Sequence, residues 1–255
     1  MKVTVDLKGF DAATRALVDR FSERRLNAAA ATALTRTALD ARENVHKEMR
    51  RALDRPTPYT MNSLYVRPAT ASRPQAEVYF KDDRAGSGTP ATRYLLPQVE
   101  GGSRRLKRFE VALKMAGHLP DGWFVVPGQG AKIDAYGNIS KGQIIQVLSQ
   151  LRITLTAGFT RNMSFDARKQ VTAQRKAGGR FFVIRPGAKG ALPGVYQREF
   201  AGRNISPVFI FVRSNTYRKR LAFYTVVQAT VASRLPVHLQ QAIADQAQRL
   251  AGAGR

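Results

Sequence analysis

The spacing of apolar residues predicts a protein with both helices and strands. Residues 2–8 alternate between polar and apolar side chains, which is the period of a short strand. From about residue 22 to residue 53, apolar residues recur every three or four positions, which predicts a long helix with one apolar stripe. Pro56 and Pro58 follow, and proline disfavours a helical conformation in the residue before it. We therefore expect the helix to end there.

Small residues dominate the stripe of this long helix, so it predicts close packing against a sheet or a neighbouring subunit. Arginines and lysines fall mostly off the stripe. Two leucines near the end of the chain are expected to pack in the same way. The residues that we predict to serve packing or assembly are Ala30, Leu34, Ala38, Ala41, Val45, Leu235 and Leu239.

Further short strands and helices follow from the rest of the pattern. The predicted strands are 64–66, 76–80, 123–126, 181–185, 195–199 and 208–212, of which the last three form a meander. The other predicted helices are 11–21, 104–116, 140–151, 217–233 and 237–251, with Pro236 placed to begin the last one. Residues 81–92 are polar and predict a loop. The fold class is α+β, with the long N-terminal helix and the C-terminal helices packed on a mostly antiparallel sheet.

One stretch breaks this pattern. Residues 157–180 are rich in cations and glycine and poor in large apolar residues, which predicts a mobile basic loop or arm. We divide the chain into an N-terminal α+β part (1–156), this arm (157–180), and C-terminal strands and helices (181–255). We expect the first and last parts to form one domain.

Charge is the strongest functional signal in the composition. Lysine and arginine number 42 against 18 aspartates and glutamates, a formal net charge of +24. Such a balance repels itself, so we expect an anionic partner, either nucleic acid or an acidic protein surface. The absence of cysteine excludes disulfides, thiolate metal sites and cysteine nucleophiles. No signal peptide and no long apolar run is visible, which predicts a soluble protein made in the cytosol, without membrane contact.

Three basic clusters, at residues 104–108, 161–180 and 217–220, are candidates for contact with nucleic acid or an acidic partner. No helix-turn-helix, zinc finger or RNA-binding signature accompanies them, so contacts with nucleic acid would be dominated by phosphates and strongly salt-dependent. The candidate residues are Arg104, Arg105, Lys107, Arg108, Arg161, Arg168, Lys169, Arg175, Lys176, Arg218, Lys219 and Arg220.

Catalytic constellations are weak by comparison. His46, His118 and His238 lie far apart in the sequence, and a structural or solvated role is expected for each. We find no nucleophile elbow, no phosphate-binding loop and no zinc pattern, and we predict neither a cofactor nor an enzyme. The glycine pairs 86–88 and 128–130 are expected to be plain turns. A metal-dependent nuclease is the enzyme to consider, because Glu77, Asp82 and Asp83 cluster at a strand end.

Two segments at opposite ends of the chain resemble one protein family. The alanine-rich run 29–38, ending in Leu-Thr-Arg-Thr-Ala, is similar to the "Leu-Asn-Arg-Thr-Ala" helix of phage minor tail protein Z, with Thr35 in place of Asn. Residues 234–243, beginning Arg-Leu-Pro, resemble the closing helix of that family. The block 94–105 is similar to phage tail proteins. Together these segments cover about an eighth of the chain.

The resemblance implies a structural protein of the virion. Such proteins act in the neck or complete the tail at the head–tail junction, next to portal and tail proteins, and related connectors form rings of about a half-dozen or a dozen subunits. A head-to-tail interface closes into cyclic symmetry of that kind. The resemblance therefore implies a ring around the channel for genomic DNA, made in the host cytoplasm and ending in the virion. The alternative is a non-specific nucleic-acid-binding protein.

Overall fold

The chain folds into two compact units. The computed structural model describes residues 1–5, 23–82, 89–153, 180–188, 190–199, 204–214 and 216–253. One unit joins Met1–Gly101 to Arg218–Arg255, and the other, Gly102–Tyr217, is inserted between them in the sequence. Both combine helices with antiparallel strands, which confirms the predicted α+β class.

The described residues contain helices and strands in both units. The first unit contains β1 (Lys2–Val5), α1 (Glu23–Ala52), α2 (Pro58–Met61), β2 (Leu64–Arg67), β3 (Ala76–Phe80), α3 (Thr92–Glu100) and α6 (Phe223–Ala253). The inserted unit contains β4 (Gly102–Ser103), α4 (Arg108–Met115), β5 (Phe124–Pro127), α5 (Lys141–Gln150), β6 (Phe181–Ile184), β7 (Gly194–Glu199), β8 (Asn204–Val212) and β9 (Thr216–Tyr217).

The core of the first unit lies between α1, α6 and a three-stranded sheet. The strands run antiparallel in the order β1-β3-β2. Because side chains alternate along a strand, Val78 and Phe80 of β3 share the face that packs against the α1 stripe. Leu34 and Met49 of that stripe are fully buried, and burial of such side chains contributes about 1.5–3 kcal/mol each.

Polar pairs link α1 to α6 along the same helix pair. His238 Nε2 lies 2.8 Å from Asp40 Oδ2, and Arg234 approaches the same carboxylate at 3.6 Å. Further along, the Asn44 side-chain amide donates to the Thr230 hydroxyl at 3.0 Å. These contacts fix the register of the two helices, since a shift by one turn would break them together.

The inserted unit has a four-stranded antiparallel sheet with the order β5-β8-β7-β6. The consecutive strands β6, β7 and β8 form the predicted meander. One face of the sheet buries Phe209 among Leu113 of α4 and Val147 and Leu148 of α5. A two-stranded ribbon, β4 with β9, pairs Gly102 with Tyr217 where this unit begins and ends.

Close backbone approach requires glycine at two positions, Gly194 in β7 and Gly128 directly after β5. A Cβ on Gly194 would lie 2.1 Å from the Phe209 carbonyl oxygen, and one on Gly128 would lie 2.3 Å from that of Pro207. Gly128 and Gly130 also donate their N–H groups to the Val208 and Pro207 carbonyls. The 128–130 pair therefore seats the chain against β8.

Several predicted boundaries were wrong. The two helices predicted at 217–233 and 237–251 are one helix, α6, which passes through Pro236. Buried Leu235 and Leu239 anchor this helix on both sides of the proline, and this burial offsets the loss of one backbone hydrogen bond. The helix predicted from residue 104 begins only at Arg108. Helix α3 was not predicted at all, because Pro97 interrupts its pattern.

The two units divide the chain after Gly101 and after Tyr217, whereas the sequence analysis divided it after residues 156 and 180. The inserted unit contains strands from both sides of the predicted arm. Residues 154–179, which include nearly all of that arm, lie outside the described residues, as does the helix predicted at 11–21.

Candidate nucleic-acid interface

The first predicted basic cluster contains one arginine that is not a surface group. The two terminal guanidinium nitrogens of Arg104, Nη1 and Nη2, donate to the Glu110 carboxylate, Nη1 at 2.6 Å, and the side chain of Arg104 is only 9% exposed. Burial opposes its charge, but the hydrogen bond and the charge of Glu110 together raise the pKa of Arg104. Its role as a phosphate contact was therefore predicted wrongly: Arg104 belongs to a buried ion pair.

Glu110 organises the start of α4 and the edge of the sheet. Its carboxylate accepts the backbone N–H of Lys107, the residue before the helix, and the backbone N–H of Val125 at 2.8 Å. The Arg104 guanidinium also lies over the Phe124 ring, 5.2 Å from its centroid. Of the remaining members of this cluster, Arg105 and Arg108 are exposed. Lys107 is an exposed residue as well, but desolvation of its ammonium group and the nearby Arg104 charge lower its pKa.

The other two predicted clusters differ in what can be said of them. Arg218, Lys219 and Arg220 are all exposed just before α6. The N–H groups of Arg220 and Leu221 both donate to the Gln98 carbonyl, which fixes the backbone of this segment. The cations predicted in the arm lie outside the described residues: Arg161, Arg168, Lys169, Arg175 and Lys176.

The residues predicted for packing or assembly are buried inside the first unit. The α1 residues fill the interface with the sheet and with α6, and the two leucines of α6 pack into the same core. The stripe thus packs within the chain, and any contact between subunits has to use other side chains. The residues concerned are Ala30, Leu34, Ala38, Ala41, Val45, Leu235 and Leu239.

A cluster of cations that the sequence did not single out surrounds Glu77. The Glu77 side chain is 2% exposed, and three cations from different segments bond to it: Lys2 Nζ at 2.9 Å, Arg67 Nη1 at 3.0 Å and Arg73 Nη2 at 2.7 Å. Each of these cations is about half exposed. The hydrogen bond from Lys2 and the three positive charges outweigh burial and lower the pKa of Glu77.

Two tyrosines lie beside these cations on the same face of the sheet. Cross-strand pairing places Tyr65 opposite Tyr79, with ring centroids 6.4 Å apart. Arg67 lies over the Tyr79 ring at 5.6 Å, and Lys81 lies over the Tyr65 ring at 5.0 Å. We call this surface the outer face of the sheet, defined by Lys2, Tyr65, Arg67, Arg73, Glu77, Tyr79 and Lys81.

The same geometry bears on the nuclease alternative. Both oxygens of Glu77 are occupied by cations, which is the opposite of what a magnesium ligand requires. Asp82 accepts the backbone N–H and the hydroxyl of Thr92, and Asp83 lies outside the described residues. Within the described ranges, no three His, Asp or Glu side chains gather as they would around a metal ion.

The histidines have separate environments. His46 and His118 are half-buried, and burial, reinforced by Arg42 and Arg185 respectively, lowers the pKa of each. His238 belongs to the contact with Asp40 described above. Among the helices described, none is long and apolar enough to cross a membrane.

The sequence contains one indication of the outer face, the alternation of residues along β2 and β3. Residues 65, 67, 77 and 79 are the positions of two paired strands that alternate away from the core. An outward-facing set containing tyrosine and arginine is informative only once the register of the strands is known. Lys2 and Arg73 join the set through tertiary structure alone.

Comparisons with protein-family models, with curated proteins and with solved structures found no match for this chain.

Proposed function

We propose that this chain is a non-enzymatic structural protein of a tailed-phage virion, a neck or tail-completion subunit that forms a ring around the DNA channel. The observation that carries the proposal is the packing of α1 against α6. The two segments that resemble minor tail protein Z, 29–38 and 234–243, come from opposite ends of the sequence and lie on these two helices. A resemblance in two distant segments is more specific when they form one structural element.

Charge supports the proposed surroundings. A subunit of a ring around packaged DNA, next to portal and tail proteins, has an anionic partner that compensates a net charge of +24. Exposed cations occur in both units, at Arg105 and Arg108 in one and at 218–220 in the other. Non-specific nucleic-acid binding, the alternative function, draws on the same cations but requires no defined oligomer.

The mass of the purified protein in solution separates the two functions. We expect a single discrete oligomer by light scattering or native mass spectrometry at both low and high salt, since a closed ring interface is not held by screened surface charges alone. A monomer in both salts that nevertheless binds DNA would contradict the ring and favour the alternative.

Exposed apolar residues on the helix pair sharpen this experiment. The stripe is buried, so contacts between subunits need exposed side chains, and Leu39 and Val237 are 41% and 49% exposed. The double variant Leu39→Glu with Val237→Glu should lower the measured mass. The matched control is Met115→Glu in the inserted unit, which changes an 84% exposed residue and should leave the mass unchanged. Equal effects of both variants would argue against this surface.

A further inference from the structure

We propose that the outer face of the sheet is a binding surface for double-stranded DNA, which it contacts through the phosphate backbone. The inference rests on the proposed function only in its choice of duplex DNA as the polyanion. It names a surface that the sequence did not nominate, because its cations come from four separate segments of the first unit.

The first argument is charge. Lys2, Arg67, Arg73 and Lys81 bring four positive charges to this face, and among the described residues that define it the one carboxylate is that of Glu77. That carboxylate is 2% exposed, whereas the three cations bonded to it are about half exposed. An approaching ligand therefore meets the cations and not the acid, and the face complements a polyanion.

The second argument is the fixed geometry of the cations. Long basic side chains lose rotamer freedom when they bind, which costs about 0.5–1.5 kcal/mol for each immobilised side chain. Here Glu77 already holds three of them by hydrogen bonds of 2.7–3.0 Å, and the two tyrosine rings support Arg67 and Lys81. These side chains are thus largely ordered before DNA binds. Less conformational entropy is lost on binding, so each phosphate contact contributes more to the affinity.

The tyrosines favour backbone contact over base stacking. Single-stranded nucleic acid is bound on aromatic rings against which bases stack. One cation already lies over each ring of this face, and Tyr79 is only half-exposed. A ring occupied in this way supports a charge and leaves little area for a base. A flat sheet face that carries cations suits phosphates, which duplex DNA presents without any need for unstacking.

The test measures binding of the full chain to a fluorescent duplex of about 30 base pairs over a series of salt concentrations. The double variant Arg67→Gln with Arg73→Gln neutralises two cations and should weaken binding. The negative slope of log K against log salt should become shallower, its magnitude decreasing by about 2. The control, Arg25→Gln with Lys47→Gln, removes the same charge from exposed positions of α1, the helix that packs on the opposite side of this sheet. Its slope should stay within about half a unit of the wild type.

A second variant protects the test against misfolding. Loss of two of its three partners weakens the environment of Glu77, so Lys81→Gln is examined as well, since it removes a cation that does not contact Glu77. We expect the magnitude of its salt slope to decrease by about 1. A preserved helical circular dichroism signal is required of every variant that is scored, and Lys81→Gln alone decides the test if the double variant unfolds.

Four results would overturn the inference: no duplex binding at low salt, equal losses in the control, tighter binding of a single strand than of the duplex, or displacement of DNA by polyglutamate at equal charge concentration. The last of these would assign the face to an acidic protein. None of these results decides the virion role, which the mass in solution tests separately. A missing oligomer, conversely, leaves the salt slopes of the outer face interpretable.

Discussion

Replacing Glu110 by glutamine should destabilise the inserted unit strongly, although the two side chains have nearly the same shape. The Glu110 carboxylate is fully buried and accepts four hydrogen bonds, two from Arg104 and two from backbone N–H groups. In Glu110→Gln one oxygen becomes an NH₂ group, which cannot accept and faces donors. The Arg104 charge then remains buried without a counter-charge.

The size of the loss follows from these contacts. Two hydrogen bonds that involve a charged group disappear, and each contributes about 1.5–3 kcal/mol, so their loss costs about 3–6 kcal/mol. Removal of one partner of a buried ion pair costs about 3–5 kcal/mol in general. The two approaches agree, and we expect the free energy of unfolding of this unit to fall by about 3–5 kcal/mol. That is a large fraction of the stability of a typical domain.

Urea unfolding followed by tryptophan fluorescence measures this loss directly. Trp123 is the only tryptophan in the chain and lies in the inserted unit, one residue before β5. The control is Asp121→Asn, which breaks the exposed ion pair between Lys114 and Asp121 and should cost less than about 1 kcal/mol. A loss below about 1 kcal/mol for Glu110→Gln, or a loss equal to the control, would refute the role assigned to the buried pair.

Three further predictions follow from the structure. Gly194→Ala should lower the free energy of unfolding by at least about 1–3 kcal/mol, because its Cβ would meet the Phe209 carbonyl. The Cβ of Gly142→Ala on α5 meets no atom, so this variant should be stabilised by up to about 1 kcal/mol. Tryptophan-monitored unfolding that ranks the two variants in the other order would contradict this prediction. The pKa of Glu77 is lowered, so its contribution to stability is complete above its unfolded pKa near 4.5 and is lost as pH falls through the folded pKa. In circular dichroism melting, the stability of Glu77→Gln should therefore depend less on pH below pH 4.5 than that of the wild type. An unchanged pH dependence would disprove the link between Glu77 ionisation and stability. The pKa of His118 is also lowered, so protonation disfavours the folded state and the free energy of unfolding falls as pH drops below 6.5. In tryptophan-monitored unfolding, His118→Gln should make this decline shallower. An identical decline in the variant would argue against a role for His118.

Local pattern was sufficient for the elements whose apolar residues face one way. The stripe of α1 and the alternation along β3 each define a buried face without reference to any other segment. Pro236 shows where this fails, since the cost of a proline inside a helix depends on how firmly the two flanking turns are packed. That packing involves α1, which is distant in the sequence.

The candidate site shows the same division more sharply. Arg104 is one of four cations within five positions, and no local feature distinguishes the buried one from its exposed neighbours. A usable clue was its partner: Glu110 is the only acidic residue in 101–120 and lies between the buried Phe109 and Ala112. The cations around Glu77 could not have been grouped in advance, because Lys2 reaches it only through the pairing of β1 with β3.

The discontinuous first unit sets the order in which a nascent chain can complete its cores. Helix α1 is fully synthesised at Ala52, but the helix that covers it starts only at Phe223. At about 5–20 residues per second, the ribosome needs roughly ten to thirty seconds to make the segment in between. The inserted unit is complete at Tyr217, before α6 begins, so it can fold while the alanine stripe still lacks its helical partner. The first unit therefore closes last during synthesis, although its residues emerge first.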